Sequence, residues 1–476
     1  MRIRKLEGGA CDAEAAFAAL YGGSENAFWL DSSARGGGAR FSFLGDDSGP
    51  RGALFTYEVG AGEVRVERHG ETQFLPGSIF DCLSREFREL ELAPSDLPFD
   101  FPCGFVGYLG YELKADCEPI EGPIAETPDA ALIFADRLVA IDHEADCTYL
   151  LALADEGDGS SAERWLKEMG EVLAALEPLA DLDETLTEHL ELELERPRER
   201  YLEDIEACRH HLAAGDTYEV CLTNRAVGDP VADPFSLYRR LRCLNPAPFS
   251  AYLRFGDLAV LSSSPERFLR VEADGRVEAR PIKGTRRRSE DPAEDARLAE
   301  QLHRDEKCRA ENVTIVDLLR NDLGRVCRFG SVEASSLFEV ETYETVHQLV
   351  STVRGDLRPG LDAIDCVRAC FPPGSMTGAP KLRTMKILDE LEGTARGVYS
   401  GAIGYFGLGG AADLSVAIRT IVTDAERTTV GAGGAIVLDS VPGDEYEEML
   451  LKLRAPARAL GDAVRDASAL PPRSPA

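Results

Sequence analysis

Lys283 stands directly after the apolar run that ends GRVEARPI and directly before Gly284, in the stretch EARPIKGTRRRS. A glycine there permits a tight turn, so the lysine amine projects toward a cavity and the amides of Gly284 and Thr285 can donate to an anion. The chemistry available to such an amine is nucleophilic addition. With an ordinary pKa of about 10.4 it is almost wholly protonated at neutral pH, so it needs burial or a partner that takes its proton. Glu266, in SSSPERFLRV, is the candidate partner. Left ionised it would only raise the lysine, so the pair must exchange a proton. A solvated lysine beside Arg286, Arg287 and Arg288 is the competing reading, although lysine is scarce here, 8 of the 52 basic side chains.

Three further groups put carboxylates or glycines where a purely structural element would not want them. In DEKCRAENVTIVDLLRNDLGRV, Glu311 lies on a helix whose apolar positions Val313, Ile315, Val316, Leu318 and Leu319 cover more than one face. A carboxylate on such a helix must be paired, with Arg309 or Arg320, or bound to a metal. In DSVPGDEYEEMLLKLRA, Glu445 and Glu448 are three residues apart and share one helix face; they either complement the helix dipole or bind a cation. One or two carboxylates from each of two helices suit Mg²⁺, which prefers oxygen and keeps several waters. The glycine-bearing turns expected in FPPGSMTGAPKL, GAIGYFG and VGAGGAIVLDS supply amides at Gly374, Ser375, Gly433, Gly434 and Ala435, and SVAIRT places Arg419 on a strand; together they can receive carboxylates. GSMTGAPK lacks the spacing of a phosphate-binding P-loop.

These groups need a large scaffold to bring them together. The 476 residues are 44% apolar, enough for a sizeable core. Residues 10–150 alternate short strands around one helix, SIFDCLSREFRELEL; residues 155–196 form an acidic connector with helical periodicity; residues 197–457 alternate strands with helices, the latter over Pro292 to Asp322; residues 461–476 read as a frayed tail. The net charge of −32 excludes nucleic acid and anionic membranes as partners. No apolar run reaches about 18 residues and the N-terminus has no leader pattern, so a cytoplasmic protein is expected. Twelve scattered cysteines without a CxxC pair read as reduced, mostly buried side chains.

In combination and order, SSSPERF, PIKGT, ENVTIVDLLRNDLGR, FPPGSMTGAPKLRTMKILDELE and the EYEE helix resemble the chorismate-utilising enzymes over about residues 25 to 455. The resemblance implies an α+β fold, an α/β sandwich in which two large, mostly antiparallel sheets face each other with helices outside. PIKGT is similar to the branch that aminates chorismate at C4 with ammonia and keeps the enolpyruvyl group, toward 4-aminobenzoate and folate. The branch that eliminates pyruvate carries Ala at the position of Lys283, and the branch that adds water carries a lysine where this chain has Glu219. The roles implied are Lys283 as nucleophile and Glu266 as its acid/base partner. Glu311 and Glu448 would hold Mg²⁺, with Glu445 behind them. Gly284, Thr285, Ser375, Tyr405, Arg419, Gly433, Gly434 and Ala435 would bind the substrate.

The sequence departs from the family pattern at Cys308, where an acid is common, and at Gln348, where a histidine is common; His347 is assigned no role. No G-x-C-x-G elbow is found, so ammonia is expected from a separate glutaminase subunit. The pocket that binds tryptophan in relatives should lie near Arg40–Ser42 and Pro248–Ser250, but FWLDSS differs from the LLES of feedback-inhibited relatives, which makes a structural role the expectation. A pyruvate-eliminating relative and a non-catalytic scaffold are the alternatives.

Overall fold

In the computed structural model residues 1–7, 9–33, 40–90, 92, 96–154, 159–180, 182, 190–343, 346–461 and 464–465 are described. Strands from both ends of the sequence interleave in two sheets. The first runs, edge to edge, Arg2–Leu6, Cys147–Ala152, Arg137–Asp142, Phe41–Asp46, Asn26–Asp31, Phe249–Phe255, Leu258–Ser264, Thr420–Thr423, Thr428–Ile436, Glu219–Gly228, Leu192–Leu194 and Val464–Arg465, with Gly378–Ala379 also bonded to Glu219–Gly228. The second runs Ile282–Arg287, Val346–Asp356, Arg276–Ala279, Arg267–Val271, Ala412–Val416, Ala402–Gly407, Gly104–Leu109, Ala130–Ala135, Ala53–Tyr57, Glu63–Arg68 and Glu71–Pro76, with Glu333–Thr342 beside Val346–Asp356. Among the described residues only Leu192–Leu194 with Val464–Arg465 pairs in parallel. The two antiparallel sheets with helices that the sequence led us to expect are therefore the fold.

The core explains the strand composition. Phe43 and Phe255 of the first sheet meet Tyr405 and Tyr108 of the second between the sheets, while Phe55, Phe105 and Phe134 pack on the second sheet's other face with Phe87 of helix Ile79–Glu89. The other face of the first sheet, with Trp29, Leu44, Val139 and Leu261, is covered by Phe17, Tyr201, Tyr238 and Met449 from helices. Strands buried on both faces read as continuous apolar runs, as in AALIFA at Ala130–Ala135. The acidic stretch from 155 to 196 is anchored at both described ends: Leu166 and Leu173 of helix Ser160–Ala174 and Leu192 and Leu194 join the outer cluster. Pro197, where the sequence halves were divided, caps helix Arg198–Ala213. Parts of that stretch, at 155–158 and 183–189, and the tail from 466 lie outside the described residues.

The helices expected over Pro292 to Asp322 are Pro292–Arg304 and Glu306–Gly324, and two other elements are corrected. The two helices break at Asp305, which is extended at ψ 109°, caps the second helix through the Cys308 amide at 3.0 Å, and takes a bond from Arg286 at 2.9 Å. GRVEARPI divides into Arg276–Ala279 and the start of Ile282–Arg287. Arg419 is not in a strand but in the bend between Ala412–Val416 and Thr420–Thr423, at φ 53°. A left-handed conformation for a non-glycine residue is costly and collects at functional sites.

A buried ion pair ties helix Lys381–Glu392 to the Glu219–Gly228 strand. Arg396 donates from Nε and Nη2 to Glu392 at 2.8 and 2.7 Å, from Nη2 to the Cys221 carbonyl at 2.9 Å and from Nη1 to the Met376 carbonyl at 2.7 Å. Glu392 also accepts from the Thr223 amide and hydroxyl at 2.9 and 3.0 Å. Arg396→Ala leaves Glu392 buried without its counter-charge, and urea unfolding should show a loss of about 3–5 kcal/mol; a loss under about 1 kcal/mol would mean that the network is solvated.

Candidate functional site

Lys283 is positioned by a β-bulge rather than a turn. Ile282 lies opposite Val350 but Thr285 opposite Gln348, so Lys283 and Gly284 together oppose the single Leu349, and the one extra residue re-aims the side chain. Gly284 has φ 91°, and a Cβ there would sit 2.7 Å from Cys308 Sγ and 2.9 Å from Leu302 Cδ1. Cys308, where the family pattern has an acid, thus packs beneath the bulge. Burial, then Asp305, pushes its thiol up to about 12, which makes it unreactive.

The partner of Lys283 is Glu219. Lys283 Nζ donates to Glu219 Oε1 at 2.6 Å, with the side chains 11% and 1% exposed. The sequence pointed to Glu266 for this contact, and the structure corrects it. Burial works to lower the lysine, but Glu219 and Glu311 hold it above its ordinary range, so the resting amine is an ammonium.

Glu266, two residues beyond Leu258–Ser264, is buried, with Ser375 and the Ile282 amide as neighbours that favour its charged form. Burial pushes it up to about 7, against the pull of those neighbours and of Lys283, so it holds a proton when ordinary glutamates do not. The native chain binds this proton more tightly than the unfolded one, so the stability it contributes is full below 4.5 and is lost as pH rises through about 7. Relative to Glu266→Gln, wild type should lose about 3 kcal/mol at most across that window, read by urea unfolding at each pH. A constant difference between the two across the window would refute the burial effect.

Four glutamates and three of the eight lysines make one cluster. Lys307, one turn before Glu311, donates to Glu445 at 2.9 Å and lies 3.8 Å from Glu311; Lys452 pairs with Glu448 at 2.7 Å and donates to the Gly433 carbonyl at 2.7 Å. Lys307, not Arg309 or Arg320, is thus the basic neighbour of Glu311. Burial, against Lys283, pushes Glu311 up to about 7, and Glu219 and Glu448 add repulsion. Gly434 faces Glu445, Glu448 and Lys452: a Cβ there would lie 3.7 Å from each.

Among the described residues no group of three or more His, Cys, Asp or Glu side chains is placed to hold a metal ion. Mg²⁺ needs less, about two carboxylates plus water and substrate oxygens. The hard-oxygen donors Glu311 and Glu448, repelling each other beside a buried glutamate, fit it in kind.

Gly433, Gly434 and Ala435 are in the middle of a strand, not in a turn. The Glu219–Gly228 strand pairs with all of Thr428–Ile436, whereas Thr420–Thr423 pairs only with Thr428–Val430. Past Val430 the two strands separate, alternate amides lose a strand partner, and Arg419 stands at the split, donating to the Lys452 carbonyl. Tyr399 lies against Gly431, where a Cβ would fall 2.2 Å from its ring, and with Glu448 it is an ionisable neighbour of Arg419.

Tyr405, expected at this site, is elsewhere. It stacks on Phe101 at 4.5 Å and lines a cavity of about 380 Å³ with Asp31, Arg40, Ser250, Arg267 and Asp413. That cavity is where the sequence placed the N-terminal pocket. His347 bonds Asp295 at 2.9 Å and Thr342 at 2.9 Å, outside the lysine–glutamate cluster. Sequence reasoning missed Glu219 as partner, Tyr399, Lys307 and Lys452. A glutamate inside the apolar strand YEVCLT was the one signal for the first; nothing separated Tyr399 from Tyr405, six residues apart.

With sheets, bulge and acidic helices in this arrangement, the chain belongs to the chorismate binding enzyme family, whose pattern matches residues 56–458. It is 50% identical over 467 residues to the aminodeoxychorismate synthase of Streptomyces pristinaespiralis, covering 96% of this chain and 65% of that one. It is 35% identical to aminodeoxychorismate synthase component 1 of Bacillus subtilis, covering 90% and 91%. The solved anthranilate synthase component I of Streptococcus pneumoniae superposes with a TM-score of 0.77 at 32% identity, covering 88% and 92%. The chain spans 65% and 63% of the two Streptomyces aminodeoxychorismate synthases it matches and 50% of the Arabidopsis thaliana one. No helix among the described residues is long and apolar enough to cross a membrane.

Proposed function

We propose that this chain aminates chorismate to 4-amino-4-deoxychorismate, as the synthase component that serves 4-aminobenzoate and folate formation, with ammonia supplied by a glutaminase on a separate subunit. The observation that carries the reading is the Lys283 amine, aimed by a bulge into a pocket of carboxylates and held by Glu219. The similarity to aminodeoxychorismate synthases supports it.

Lys283, after its ammonium has lost a proton to solvent, adds to C2 of the ring; the two ring double bonds shift toward C4, the C4 hydroxyl leaves, and the new secondary ammonium passes its proton to the Glu266 carboxylate once that group has protonated the hydroxyl. Glu266, which holds its proton near neutrality, delivers it to that hydroxyl so that water departs. Ammonia then adds at C4, the double bonds shift back, and the lysine is released. Glu311 and Glu448 would hold Mg²⁺, with Glu445 behind them, and the ion supplies positive charge for the ring carboxylate and the departing oxygen. Arg419, Tyr399, Gly284, Thr285, Ser375 and the amides of Gly433–Ala435 receive the substrate's carboxylates and hydroxyl.

The test is the product formed from chorismate, Mg²⁺ and an ammonium salt, identified by mass spectrometry. A product that keeps the enolpyruvyl group and gives 4-aminobenzoate when a lyase is added is expected. Anthranilate with free pyruvate would assign the chain to the pyruvate-eliminating branch, and no turnover with or without a glutaminase would leave a scaffold.

A further inference from the structure

Glu219 has a second oxygen that the lysine does not use. Oε1 accepts from Lys283, while Oε2 is buried and without a hydrogen-bond partner among the described residues. A buried carboxylate oxygen without a donor is costly and persists where something else satisfies it. Of the groups around it, Ala379 opposes Glu219 in the sheet through backbone, and Glu311 is a like charge. Of the two substrates in the proposed reaction, chorismate brings two carboxylates, which are repelled here, an ether, which cannot donate, and one hydroxyl, which the reading above gives to Glu266. Ammonium, the main form of ammonia near neutral pH, brings only N–H donors.

We propose that Glu219 Oε2 is the ammonium-binding position, and that this carboxylate passes a proton from the incoming ammonium to the departing Lys283 nitrogen. The inference rests on the lysine-adduct reading given above. The balance closes without another reactant. Ammonium gives one proton to Glu219 and becomes ammonia. Ammonia's lone pair forms the C4–N bond, the double bonds shift, and the C2–N bond breaks toward Lys283. The proton on Glu219 goes through Oε1 to the lysine nitrogen, so lysine leaves as a neutral amine and the product carries the C4 ammonium. Glu219 ends as the carboxylate it began as. Because it acts on Lys283 through Oε1 and on ammonium through Oε2, its loss separates the two substrates kinetically.

Glu219→Gln keeps the shape but carries no proton. With ammonium chloride as the nitrogen source, its kcat/KM for ammonium should fall about a hundredfold or more, the range that general acid–base groups contribute. The KM for chorismate should move less than about threefold, because uniform substrate binding is untouched. The Lys283 adduct, seen as a mass increase on the intact chain, should accumulate during turnover. An unchanged ammonium dependence, or a chorismate KM that rises in parallel with the loss, overturns the proposal. If Glu219→Gln does not bind chorismate, Glu219→Asp carries the test: it keeps the charge but not the reach to both nitrogens, and the same readouts apply. A wild-type enzyme that forms no aminated product refutes the reaction itself; a wild type that aminates beside an E219Q variant with normal ammonium dependence refutes Glu219 alone.

Discussion

Lys283→Ala is expected to remove the covalent adduct from the protein and to lower amination by about a thousandfold or more, the scale on which loss of a positioned nucleophile is felt. The bulge at Lys283 and Gly284 exists to aim one side chain, and no other amine is bonded to Glu219 among the described residues. Some ammonia-dependent turnover can survive by direct attack at C4, so the adduct is the sharper readout. Intact-mass analysis with chorismate and Mg²⁺ measures it, and an undiminished adduct in the variant refutes the nucleophile. The variant carries a structural effect as well. Glu219, 1% exposed, loses its counter-charge, which costs about 3–5 kcal/mol when one partner of a buried pair is removed. The double variant K283A/E219A should recover most of that stability without recovering the adduct. This separates loss of chemistry from loss of fold.

Glu311→Gln should reverse the effect of Mg²⁺ on stability. In wild type the Glu311 carboxyl is pushed up to about 7 by burial, with Glu219 and Glu448 repelling it. Neutralising it relieves that repulsion, so in EDTA the variant should melt higher than wild type. With chorismate and Mg²⁺ present the order should invert, because a carboxylate ligand is gone, and the Mg²⁺ concentration for half-maximal binding should rise about a hundredfold or more. Calorimetric titration of Mg²⁺ in the presence of chorismate gives the number. An unchanged Mg²⁺ affinity would remove Glu311 from the metal site, and a variant that melts lower in EDTA would make its charge a structural requirement.

The residues that could be read in advance were those whose chemistry is anomalous for their element. Lys283 beside a glycine at the end of an apolar run, Glu311 inside a largely buried helix, and Glu445 and Glu448 on one helix face all stood out, and the structure brings them into one cluster through Lys307 and Lys452. Gly284 was legible as a backbone requirement, and its φ of 91° and its packing on Cys308 show why. Tyr405 was misplaced because alternation along a strand does not say which cavity between two sheets a side chain enters. Tyr399 and Tyr405 are separated by one turn and half a strand, yet one adjoins Arg419 and the other Phe101.

By itself the sequence determined the elements that carry the chemistry and the residue types of the site, because periodicity and special residues such as glycine and buried acids act locally; the two-sheet class followed only from the resemblance of its motifs to a known family. It did not determine who pairs with whom. Glu219 and Lys283 are 64 residues apart and in different sheets, Lys307 and Glu445 are 138 apart, and each contact exists only because the sheets face each other and two helices close over their ends. Partner choice among like residues depends on distance and burial, and both are set by the tertiary structure rather than by any property of the neighbouring sequence.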